Sequence, residues 1–161
     1  SYILPVNAKL ERLTETAYPL PLLYKNLASV DSRSIMLLLE ASFAANLSDP
    51  TDPNLPENEV RVLPPSPVPG LAVFTAADRD QKPLDDPEFG IGLFTRFMIE
   101  GLAGRADTAP IGNADRRVDT VELFVYAANQ VRQAARKSLG MEQKPQIMNP
   151  ENVVVGRLAA R

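Results

Sequence analysis

Ser34-Ile35-Met36-Leu37-Leu38-Leu39-Glu40-Ala41-Ser42-Phe43-Ala44-Ala45 carries five apolar residues in a row, Ile35 to Leu39. A polar lead-in, Asp31 to Ser34, precedes them, and small and polar residues follow. A run this short reads as a strand buried on both faces, the kind found inside a parallel sheet; a buried helix segment usually needs more length. In open α/β sheets, ligands sit beyond the carboxyl ends of the strands. Glu40 and Ser42 stand at that end, so the position suits a site. An ordinary loop after the strand is the plainer alternative.

Composition narrows the field. The 161 residues suffice for one domain with a real core, and 45% hydrophobic with 23% charged residues is ordinary for a globular domain. A formal net charge of -3 argues against nucleic-acid binding through bulk electrostatics. No apolar stretch approaches the roughly 18 residues of a membrane span. The chain has no cysteine and no histidine, so it contains neither a thiol nucleophile nor an imidazole base. No metal site and no cofactor site is expected. The sequence starts at Ser1 without a methionine, which suggests a trimmed or processed piece.

Outward from the central run, alternating elements emerge. Tyr2-Ile3-Leu4-Pro5-Val6 is β-like, with Pro5 placing it at an edge or bend. Pro19 and Pro21 open a helix to about Ala28, with Leu22, Leu23 and Leu27 as its buried stripe. Asn46 to Gly70 holds seven of the 15 prolines and reads as a long surface loop, with one brief extended piece at Val60-Arg61-Val62-Leu63. Leu71 to Ala76 is a second strand, ending in Asp78-Arg79-Asp80-Gln81. Gly90-x-Gly92 lacks the third glycine and the directly preceding strand of a phosphate-binding turn. Leu93, Phe94, Phe97, Met98 and Leu102 recur at helical spacing, and Gly101 and Gly104 suit the helix end.

Asn113, Asp115, Asp119 and Glu122 invite a calcium-loop reading. Registering Glu122 as the last ligand puts Ile111 at the first position and Arg116 where glycine must turn, and both defeat it. Asp119 and Glu122 instead predict a capping box opening a helix to about Leu139, ended by Gly140. Arg132, Arg136 and Lys137 read as the solvated end of that helix. Asn152 to Gly156 is a candidate last strand.

Five segments in order resemble caspase-like cysteine peptidases. Leu39-Glu40-Ala41-Ser42-Phe43 looks like their nucleophile segment, Leu-Asp-Ala-Cys-Phe, with Ser42 at the cysteine and Glu40 at the aspartate. Tyr2 to Asn7 is similar to the Tyr-Leu-Leu-Pro-x-Asp segment ahead of it. Asp80-Gln81, Gly92-x-Phe94-Thr95 and Gln143-Lys144-Pro145 resemble three further family motifs. The resemblance implies an α/β three-layer sandwich, a mainly parallel sheet flanked by helices, in a single domain over 1–161 with its site at the strand ends. It also implies a catalytic histidine upstream of Tyr2, outside this sequence, carried on a segment or chain that supplies the rest of the fold.

Chemistry departs from that pattern. A serine hydroxyl is far harder to ionise than a thiol and needs a positioned base. The expected function is therefore a catalytically inactive caspase-like domain that binds a peptide or protein, for binding or regulation, with no nucleic acid or membrane partner. The resemblance also implies that Glu40 and Asp80 favour a basic side chain. The alternative is an active endopeptidase with basic P1 preference, represented by a fragment or a Cys-to-Ser variant. Ala44-Ala45, where the family has Ser-Gly, argues against a designed single change. A third reading, an unrelated α/β interaction domain, gains if the strand at Ile35 proves to be an edge strand.

Overall fold

The computed structural model describes residues 2–41, 70–78, 81–149 and 151–159. Ser42, Arg79, Asp80 and the proline-rich stretch up to residue 69, including Val60 to Leu63, lie outside the described residues. In chain order the elements are β1 (Tyr2–Ile3), α1 (Leu13–Thr16), β2 (Tyr18–Pro19), α2 (Leu20–Ala28), β3 (Ile35–Leu39), β4 (Leu71–Thr75), β5 (Asp85–Asp86), β6 (Ile91–Gly92), α3 (Leu93–Leu102), β7 (Arg117–Asp119), α4 (Thr120–Leu139), β8 (Gln146–Met148) and β9 (Val154–Arg157).

This is a mixed α/β fold. Its central sheet has the order β3-β4-β8, with β3 parallel to β4 and β8 antiparallel to it. Of the described pairings only β3–β4 is parallel; β1–β2, β5–β6 and β7–β9 are small antiparallel ladders. The sheet is therefore mixed rather than mainly parallel over the described residues.

Strand alternation splits the core in two. Leu71 and Val73 of β4 face α2 and pack with Leu20, Tyr24, Leu23 and Leu27, whereas Leu22, expected in the buried stripe, is exposed. Ala72 and Phe74 face the other way, onto Phe94, Phe97 and Met98 of α3 and Leu123, Ala127 and Val131 of α4. The layers are thus α2, the sheet, and the α3–α4 pair.

The expected burial of the first strand needs correction. All five residues of β4 are buried, whereas β3 is half-buried and Leu38 is 42% exposed. Among the described residues β3 pairs on one side only and stands at the edge of the sheet, and β4 takes the centre. An all-apolar run reports hydrophobicity, not which edge of the strand is paired.

The acidic loop ahead of α4 folds on its own backbone. Asp107, 3% exposed, accepts from the Asp115 N–H at 3.1 Å and the Arg116 N–H at 2.8 Å. Asp119 accepts from the N–H groups of Val121 and Glu122, and Glu122 accepts in turn from the Asp119 N–H at 3.2 Å, forming the capping box. Arg116 adopts the left-handed conformation at φ 68°, which a non-glycine residue seldom takes. Gly140 closes α4 at φ 62°, as its position suggested.

Candidate functional site

Parallel pairing brings the carboxyl ends of β3 and β4 together. Leu39 pairs with Thr75, and the Ala76 N–H donates to the Leu39 carbonyl at 2.9 Å. The segments Glu40-Ala41 and Ala76-Ala77-Asp78 therefore leave the same edge of the sheet. Ser42 lies one residue beyond Ala41, and Asp80 lies between Asp78 and Gln81; both are outside the described residues. Of the three residues singled out from sequence, only Glu40 has a described geometry.

Glu40 does not stand open in a cleft. Its carboxylate accepts from the Phe94 N–H at 3.2 Å, the Thr95 N–H at 3.1 Å and the Thr95 hydroxyl. These amides belong to the first turn of α3, whose N-cap is Gly92. A glycine offers no side-chain acceptor, so a carboxylate from a strand more than 50 residues earlier in the chain takes over the cap. A negative group there also meets the positive end of the helix dipole.

Gly92 is explained by the same contact. A methyl group at this position would overlap the Glu40 carboxylate. The glycine of Gly92-x-Phe94-Thr95 thus serves close approach of a side chain, not of a phosphate. Gly92→Ala is expected to destabilise the fold by about 1–3 kcal/mol, the range for losing a charge-assisted cap. Urea unfolding of Gly92→Ala, Glu40→Ala and the double variant measures it. If the cap is the cause, the two costs are strongly non-additive.

A second tie fixes the turn after β4. The Gln143 side chain is 1% exposed; its Nε2–H donates to the Ala76 carbonyl at 2.8 Å and its Oε1 accepts from the Leu84 N–H at 3.0 Å. Reciprocally, Gln81 Oε1 accepts from the Lys144 N–H at 2.7 Å. The loop 76–84 is so held at both ends by Gln143-Lys144, and buried Pro145 leads directly into β8. Sequence reading marked Gln143 only as part of a motif. Its position directly before Lys144-Pro145, near the start of a short strand, carries no local signal of a partner some 60 residues away.

Beside the edge, the β5–β6 hairpin docks on α3 through Arg96. Arg96 pairs with Asp86 and Glu100 and lies over the Phe89 ring at 4.2 Å. The Arg96 guanidinium holds the Asp86 carboxyl below the usual carboxylate range. This ion pair is structural: it fixes the segment that delivers Gly92 to Glu40.

Among the described residues, no group of three or more acidic side chains is arranged to hold a metal ion, and no helix is long and apolar enough to cross a membrane. No protein-family model matches the chain, and no curated protein matches it.

Proposed function

We propose that this chain is a catalytically silent caspase-like domain, a three-layer sandwich that binds a peptide or protein segment at the carboxyl ends of β3 and β4 without cutting it. The observation that carries this reading is the pairwise meeting of four motif segments at one edge. Glu40 meets Gly92-x-Phe94-Thr95, and Gln81 meets Gln143-Lys144-Pro145. Segments that match one family only in order along the chain need not touch; these do.

Silence follows from the side chains on hand. Ser42 stands at the nucleophile position as a hydroxyl, which is far harder to ionise than the family's thiol even where another segment supplies the histidine. A basic side chain of the ligand would meet Asp80 more than Glu40, because three donors already engage Glu40. Among the described residues β3 has no partner on its outer side, which fits a domain completed by an additional strand from another segment or chain.

The test is incubation with peptides bearing arginine, lysine, aspartate or glutamate at P1, with any upstream segment restored. Binding without cleavage is the expected result, tightest for the arginine peptide. Specific cleavage that Ser42→Ala abolishes would overturn the silent reading and favour an active peptidase.

The edge position of β3 favours one second reading, an α/β interaction domain outside this family that recruits a partner strand. Ser42→Trp separates the two. It blocks peptide binding at the strand ends under the first reading and leaves edge pairing intact under the second.

A further inference from the structure

A cleft of about 300 Å³ lies at the opposite, amino ends of β3 and β4. That is the lower end of the size range of small-molecule sites. Ile35, Met36, Val153 and Val155 supply its aliphatic lining, with Met36 and Val155 packed on the same side of the sheet. Thr120, the first residue of α4, and Glu151 complete it, and none of the described lining residues is cationic.

Glu151 is fixed in place from two sides. The Gly70 N–H donates to its Oε1 at 2.8 Å, and the Thr120 hydroxyl donates to its backbone carbonyl. Thr120 is itself fully buried and accepts from the Val153 N–H at 3.1 Å. Oε2 accepts no hydrogen bond among the described residues. An aliphatic cleft with one held carboxylate and no counter-charge is complementary to a short alkyl chain ending in a cation.

We infer that this cleft binds a primary alkylammonium group, the stem against Ile35, Met36, Val153 and Val155 and the ammonium on Glu151 Oε2. A lysine side chain of a protein and a free diamine share that chemistry. The site is separate from the strand ends described above and does not depend on the reading given to them.

Titration of the ¹⁵N-labelled chain with n-butylammonium and with n-butanol tests it. The amides of Ile35, Met36 and Val153 are expected to shift, with the ammonium bound about fivefold more tightly than the alcohol, as one solvent-accessible ion pair allows. Glu151→Gln keeps an acceptor for the Gly70 N–H and is expected to erase that preference. Val154→Trp, at the exposed rim, is expected to weaken both ligands. Equal binding of amine and alcohol, an undiminished preference in Glu151→Gln, or shifts confined to other regions would overturn the inference. Comparing Nα-acetyl-lysine methylamide with cadaverine then identifies the source. Tighter binding of the first supports a protein side chain as the natural ligand, and tighter binding of the second supports a free diamine.

Discussion

Phe74→Ala is expected to cost about 3–5 kcal/mol of stability, the range for emptying a buried aromatic site. Phe74 is fully buried in β4, between Ala72 and Ala76 on the face that meets α3 and α4. Its ring lies 6.0 Å from that of Phe124 at a tilt of 58°, a favourable aromatic geometry. The small residues either side of it cannot close the gap. Since a whole domain is held by only about 5–15 kcal/mol, this one change should bring the fold near its limit. Thermal unfolding checks it, with an expected fall in Tm of roughly 6–20 °C. Phe124→Leu is the control: it breaks the aromatic pair but leaves most of the volume, so about 1 kcal/mol is expected.

Gln143→Met should be the next most damaging substitution, by about 2–4 kcal/mol, although the two side chains are similar in size. Volume is kept, so the cost measures hydrogen bonds alone. The Ala76 carbonyl is left buried without its donor, and the Leu84 N–H loses its acceptor. Gln143→Glu separates the two, because it retains an acceptor for Leu84 and sets a carboxylate against the Ala76 carbonyl. It is expected to be at least as destabilising as Met at neutral pH. Hydrogen exchange adds a local readout: in both variants the Gln81 and Leu84 amides should lose protection before those of α4. A uniform loss across the molecule would mean that Gln143 supports the whole core rather than the loop at the strand ends.

Periodic segments were the legible ones. Ile35–Leu39 and Leu71–Thr75 are strands where short apolar runs were read, and α4 starts at its capping box and stops at its glycine. Pro19 sits at the N-cap of α2, one residue outside the helix, as a residue with extended backbone must. The last strand lies at Val154–Arg157, slightly later than read. What stayed hidden was non-local. Glu40 looked like a ligand for a basic side chain, because the helix terminus that engages it comes more than 50 residues later. Gly92 read as part of a family motif, and only the Glu40 carboxylate against it shows that a side chain there would displace the cap. The two-residue ladders of β1, β2, β5 and β6 are too short to carry any alternation. The central place belongs to β4 rather than to the more uniformly apolar β3, because composition does not say which strand is paired on both sides.

The register of β3 with β4 also sets a clock for the newborn chain. Ile35 pairs with Leu71 and Leu39 with Thr75, an offset of 36 residues. At roughly 5–20 residues per second, the ribosome needs about 2–7 s to make the second strand after the first. For an interval of that length after Ile-Met-Leu-Leu-Leu leaves the ribosome, its partner strand β4 is still to emerge. Such a segment is an obvious client for a chaperone on the nascent chain, and slower translation would lengthen its exposure.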